Sequence, residues 1–346
     1  MVLLYAAIAL LAIWGFRFRK PADPSAALSI EQSTMAKGLF VLLVFASHVS
    51  QYLDLPAGVL SWSYEFIRSN LGQLIVVPFL FFSGYGIRSS LMRKGDEYLR
   101  SMPKKRLLRT YVHTAVILLV FLAVQLFLGN RFPFRRILLG FVLLDSFGNS
   151  TWYLFAILYL YAITWLSFRL ARTQKQAILL CFLFSVAYYI GLYLWKERYW
   201  YDTVFVYFLG LVLPDLQKGI DKCTGRTSGW VIGCVGLTAA VLILTKLPFP
   251  HGIAGIAGNL RAVCFMLLIL IFLSRFQFGN FVLDWLGKHV FLCYMLQRLP
   301  MILLEHFDVS RTCIPLFVIG SAAGTVLLVL LIDPVIKCID RFVVRA

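Results

Sequence analysis

Apolar runs of about 15 to 21 residues recur along this chain from end to end, the length that carries a helix across a bilayer's hydrocarbon core. No stretch between them is long enough for a soluble domain. Whatever the protein does must be built from helices and short connections. Composition agrees: of 346 residues, 60% are hydrophobic and 14% charged, with mean hydropathy +0.83. A soluble globular domain is far more polar.

The expected fold is all-α, a polytopic transmembrane helical bundle of about eleven spans. They fall near 2–16, 37–53, 71–91, 111–129, 152–168, 176–195, 201–213, 228–246, 260–274, 286–304 and 314–333. The first, VLLYAAIALLAIWGF, lacks a basic leader and a small-residue cleavage site, and Arg17, Arg19 and Lys20 follow it. That order suits an uncleaved span with its N-terminus outside.

Cations orient the bundle. The segment from Arg88 to Arg109 holds eight Lys or Arg against Asp96 and Glu97, which places it in the cytoplasm. Counting outward puts 17–36, 169–175, 214–227 and the tail Lys337–Arg345 inside as well, giving an N-out, C-in arrangement. Arg131, Arg135 and Arg136 are exceptions, falling in an exterior connection. The net charge of +17 follows from this topology and from contact with anionic membrane lipids. The cations are scattered over short loops, so no nucleic-acid partner is expected. Seven cysteines stand singly without CxxC spacing and read as small apolar residues, with no metal site. The run ILLGFVLL at 137–144 is too short to span and suits the interface or a re-entrant segment.

Against this background, His48 inside AKGLFVLLVFASHVSQYL is an expensive residue. An ionisable side chain at membrane depth reads first as a functional site, with a structural hydrogen bond to a neighbouring helix as the plainer reading. Lys37 precedes it on the same stripe, within roughly 20° around the helix and about 16 Å along it.

Four other segments stand out. In VVPFLFFSGYGI, Ser83 and Tyr85 are donors beside a glycine, where either close helix packing or a close approach to a ligand is expected. Arg106 and Arg109 share one helix face and suit phosphate oxygens, although the positive-inside rule alone also puts cations there. In Asn149-Ser150-Thr151-Trp152-Tyr153-Leu154 the aromatic pair fits an interfacial belt. In LGKHVFLCYMLQRLP, Gln297 and Arg298 lie deep in a span, and Arg298 needs a partner or a wet cavity, so this helix is expected to line the site. There is no GxSxG elbow, Walker A loop, HExxH motif or GxGxxG unit.

Taken in order, these pieces resemble the acyltransferase 3 family of integral-membrane acyltransferases. They are Lys37 and His48 with ten residues between them, FFSGYGI, Arg106-x-x-Arg109, Asn-Ser-Thr-Trp-Tyr-Leu, and Leu286-Gly-Lys-His with Tyr294-Met-Leu-Gln. The likeness covers roughly 33–335, which implies a ten-helix membrane domain at 33–346, with residues 1–32 as an additional N-terminal span and cytoplasmic linker. Two positions depart from the pattern: Lys37 stands where Arg is usual, and Gln297 where many members carry His.

The resemblance implies transfer of an acyl group from cytoplasmic acetyl-CoA, a co-substrate, to a hydroxyl of an exterior or lipid-linked polysaccharide. It implies His48 as general base or acyl relay. Lys37, Arg106 and Arg109 would hold the phosphates of CoA, and Ser83 and Tyr85 would line the thioester channel or help hold the carbonyl oxygen as charge develops there. Trp152 would face the carbohydrate acceptor, with Gln297 and Arg298 beside it. The setting is a bacterial inner or plasma membrane. A transporter or flippase for an anionic glycan or lipid is the alternative, but no two matching halves with Gly/Pro-broken spans are visible. A non-catalytic partner of an export complex would tolerate loss of His48.

Overall fold

The structure is a computed structural model that describes residues 1–19, 24–53 and 59–345. Lys20 and residues 54–58, between the second and third expected spans, lie outside the described residues. The rest is helix after helix, with one two-residue antiparallel ribbon pairing Arg17 with Gln277 and Phe18 with Phe276. Among the described residues, seven helical stretches are long and apolar enough to cross a membrane: Ile30–Tyr52, Glu65–Phe127, Trp152–Leu170, Gln174–Tyr193, Thr227–Lys246, Gly252–Leu273 and Ile314–Phe342. The architecture is that of an all-α membrane protein.

Where these stretches differ from the expected spans, local backbone explains it. Glu65–Phe127 contains two expected spans, separated by Gly95 at φ 53° and ψ −132° and by the π-helical turn Pro103–Leu108. Only glycine adopts that backbone easily. The first expected span is the 12-residue helix Val2–Ile13. The span expected at 201–213 falls on Phe205–Thr224, with Pro214 inside it. The span expected at 286–304 is three short helices, Phe281–Lys288, Val290–Leu296 and Arg298–His306, with turns at His289 and Gln297.

The chain divides into two compact units. The first comprises Met1–Leu43, Ala57–Asp96 and Ser167–Lys288. Its apolar core gathers Met35, Phe81, Val206, Met266 and Leu283 from separate helices. Two close helix crossings organise it. A Cβ on Gly38 would lie 2.1 Å from the Leu283 carbonyl oxygen, and one on Gly287 would lie 1.9 Å from that of Thr34. At the second crossing, Gly84 and Gly210 would bring a Cβ within 2.2 Å of the Tyr207 oxygen and 2.3 Å of the Phe81 oxygen. Without a hydrophobic drive between helices in lipid, such small-residue contacts let backbones pack. The Gln32 amide ties the ribbon down, donating to the Phe278 carbonyl at 3.0 Å and accepting from its N–H at 2.9 Å. Asn280 donates to the carbonyls of Leu11 and Trp14, which fixes the N-terminal helix to the same unit.

Arg88, counted from the sequence among cytoplasmic loop cations, is instead buried in this unit. Its side chain is 2% exposed, and its Nη2 bonds Gln174 at 2.9 Å and Asp215 at 3.2 Å. The partners lie 86 and 127 residues away, so only the fold reveals them. Asp215 is 47% exposed, which makes the pair asymmetric. Removing the carboxylate strands a buried charge and costs about 3 kcal/mol, whereas removing the arginine leaves an anion that water can solvate. Asp215→Ala is therefore expected to lower the thermal unfolding midpoint in detergent more than Arg88→Met does.

The second unit comprises Val44–Pro56, Glu97–Leu166 and His289–Ala346. Its helices include Arg109–Phe127, the short Phe134–Phe141, most of Trp152–Leu170, and Ile314–Arg345. Phe121, Leu160, Met301 and Phe317 are fully buried in it.

Candidate active site

The second unit assembles the chemistry around His48. The Ile30–Val49 helix passes into a 3-10 turn, Ser50–Tyr52, where the Ser50 hydroxyl donates back to the Ser47 carbonyl at 2.7 Å. His48 sits in the last turn and is 8% exposed. Its Nε2 lies 3.2 Å from the Ser150 hydroxyl oxygen. Its Nδ1 is buried and finds no hydrogen-bond partner among the described residues. A buried polar atom without a partner is rare enough to need an explanation.

Ser150 is delivered by a loop that its own side chains hold rigid. Asp145 accepts from the Ser146 N–H at 2.7 Å, the Ser146 hydroxyl from the Gly148 N–H at 3.0 Å, and Asn149 from the Phe147 N–H at 3.1 Å. Gln125 donates to the Phe147 carbonyl at 2.8 Å. The Phe147 ring packs edge-on against Phe132 and Phe141. Leu143 takes φ 64°, a left-handed backbone costing a leucine roughly 1–2 kcal/mol. Its side chain is 2% exposed, so apolar burial opposes that strain. These are the Asx and hydroxyl turns that short polar side chains build in loops.

Aromatic rings line the other side. Tyr294 lies 6.4 Å from the His48 ring, and its hydroxyl is hydrogen-bonded with Ser150. Tyr153 packs on Tyr294 at 5.2 Å and on Trp152 at 6.0 Å. Gln297 is 1% exposed and donates to the Tyr294 carbonyl at 3.2 Å, bracing the turn between two short helices. Arg298 meets the partner its burial demands: Nη2 lies 3.4 Å from the Tyr52 hydroxyl, and the guanidinium sits 5.8 Å from the Tyr52 ring centroid. Arg298 Nε and Asn149 Nδ2 are also buried without partners among the described residues. One buried base and two buried donors thus await polar atoms from elsewhere.

Of the residues singled out from the sequence, this network unites His48, Trp152, Gln297 and Arg298. Arg106 and Arg109 belong to the same unit but bond elsewhere. Arg106 Nε donates to Tyr98 at 3.1 Å. Arg109 is ion-paired with Asp340, which also lies 2.8 Å from His113 Nε2. Any phosphate must therefore compete with a carboxylate for Arg109. Lys37, Ser83 and Tyr85 fall in the first unit, all three half-buried, with Tyr85 stacked on Phe81 at 6.1 Å. Gly84 between Ser83 and Tyr85 is consumed by helix packing. The first unit also has a cavity of about 420 Å³ bordered by Arg17, Glu31 and Asp284. Two carboxylates against one guanidinium suit a phosphate-rich donor poorly.

Ser150, Asn149, Tyr52, Tyr294 and Asp340 have no site role that the sequence alone assigns. Ser150 and Asn149 stand in a motif already singled out, yet only the loop fold aims them at His48. Asp340 lies far from Arg109 in sequence, with nothing in the pattern to join them.

Compared with known families, residues 31–333 match one described as an acyltransferase domain. No curated protein and no solved structure matches the chain.

Proposed function

The chain belongs to the acyltransferase 3 family, and from that premise we propose that it moves an acyl group, in the first instance acetyl, from acyl-CoA to a hydroxyl of an exterior or lipid-linked polysaccharide at a bacterial plasma membrane. The observation that carries this reading is His48, a buried imidazole with one nitrogen held by Ser150 and the other unoccupied. A neutral imidazole within reach of an acceptor hydroxyl is a general base.

His48 takes the hydroxyl proton as the acceptor oxygen bonds the acyl carbon. The carbon–sulfur bond breaks, and His48 returns that proton to the departing thiolate, leaving an ester and free CoA. The buried donors of Arg298 and Asn149 steady negative charge on the acyl oxygen, in surroundings where such donors count most. Trp152 and Tyr153, in contact with Tyr294, offer aromatic faces to a sugar ring. Arg106 and Arg109, in the same unit as His48, attract the phosphates of CoA.

Arg106→Ala combined with Arg109→Ala is expected to weaken CoA binding about tenfold or more, the value of charge-assisted contacts to phosphate, with acceptor binding little changed. Titration of CoA into purified protein reads this directly. Equal affinity would return both arginines to the service of topology.

A further inference from the structure

The unpartnered nitrogen of His48 bears on which atom accepts the proton. In its neutral form the ring carries one hydrogen, on Nδ1 or on Nε2. With the hydrogen on Nδ1, a buried N–H would point at no acceptor among the described residues, because Nδ1 is enclosed and unbonded. With the hydrogen on Nε2, that N–H meets the Ser150 oxygen 3.2 Å away, and only a bare lone pair remains at Nδ1. Orphaned buried N–H groups are the rarer and costlier of the two.

The Ser150 hydroxyl has a second neighbour that makes this arrangement complete. It is hydrogen-bonded with the Tyr294 hydroxyl, so it can accept from His48 and pass its own hydrogen to Tyr294. The loop that carries it is pinned by three side chain–backbone bonds and by Gln125. A hydroxyl held that firmly can select a tautomer. A partner on the far nitrogen of a functional histidine fixes ring orientation and proton position in this manner.

We propose that Ser150 is a positioning residue that holds the Nε2–H form of His48, so that Nδ1 is the atom that takes the acceptor hydroxyl's proton. This rests on the acyl-transfer reading above and specifies its base to one atom. Ser150 is then no nucleophile. The acceptor oxygen attacks the acyl carbon directly, its proton goes to Nδ1, and the same proton leaves with the CoA thiolate. No acyl-serine forms at any stage.

The test is ¹⁵N magnetic resonance of histidine-labelled protein in lipid at alkaline pH, with His48 assigned by its loss in His48→Ala. Wild type should show a protonated Nε2 and a bare Nδ1, and Ser150→Ala should admit the other tautomer. In parallel, Ser150→Ala should lower the transfer rate about 10–100-fold without changing KM for acyl-CoA, and Ser150→Thr should recover most of it. A wild-type proton on Nδ1 would overturn the proposal. So would an unchanged rate in Ser150→Ala, or an acyl group on Ser150 after incubation with acetyl-CoA lacking acceptor. The tautomer is read without turnover, so an inactive wild-type preparation would count against acyl transfer and leave this result standing.

Discussion

Replacement of His48 by alanine is expected to reduce acyl transfer about 10²–10⁴-fold, the usual share of a positioned general base, while the protein still inserts and folds. The ring is 8% exposed, yet its polar contact is a single bond to Ser150. Truncation to alanine leaves a small cavity and releases the Ser150 hydroxyl, which keeps its bond with Tyr294. Stability should therefore fall by far less than activity. Labelled acetyl-CoA and extracted surface glycan, supplied to purified protein in detergent, measure the first quantity. Size-exclusion behaviour and a thermal melt measure the second. Full transfer by the variant would remove His48 from the mechanism.

The largest structural effect is expected from Gly287→Ala. The added carbon would sit 1.9 Å from the Thr34 carbonyl oxygen and 2.6 Å from its carbon, and both are backbone atoms of a helix. No side-chain rotation can relieve that overlap, so the helix carrying Met35 and Lys37 must move away. Gly38 packs reciprocally against the Leu283 carbonyl at the same crossing, and Leu283 is fully buried in the core. Overpacking of this kind costs about 3 kcal/mol or more, enough to deplete folded protein in membranes. Gly86 has nothing within 4 Å of the corresponding position, so Gly86→Ala is the matched control and should melt as wild type does. Equal melting of the two variants would refute the crossing as a determinant of this unit.

The helical membrane architecture was legible because apolar length is a property of contiguous residues, and so was the burial of an ionisable side chain at His48. Breaks within apolar runs were less so. His289 and Gln297 interrupt what reads as one span; Pro300, which has no N–H to donate back to Leu296, marks the second break, and nothing local marks the first. Contacts between distant segments were beyond reach: Arg88 resembles a loop cation until Asp215 and Gln174 are brought to it. The glycine in FFSGYGI allowed packing or ligand approach, and its Cβ position decides for packing at Gly84, while Gly287 showed its own close crossing only in the fold. Ser150 sat in a motif of polar residues with no mark to single it out. Its place beside His48 comes from a loop whose shape depends on Asp145, Ser146, Asn149 and Gln125 together.

The central claim is that acyl transfer onto a surface glycan runs through His48. It is tested most directly by mass spectrometry of glycans from cells carrying the wild-type protein, His48→Ala at matched membrane abundance, or no protein. Acyl-mass increments on sugar residues should be present in the first and absent from the other two. Identical glycan spectra from all three would contradict the account.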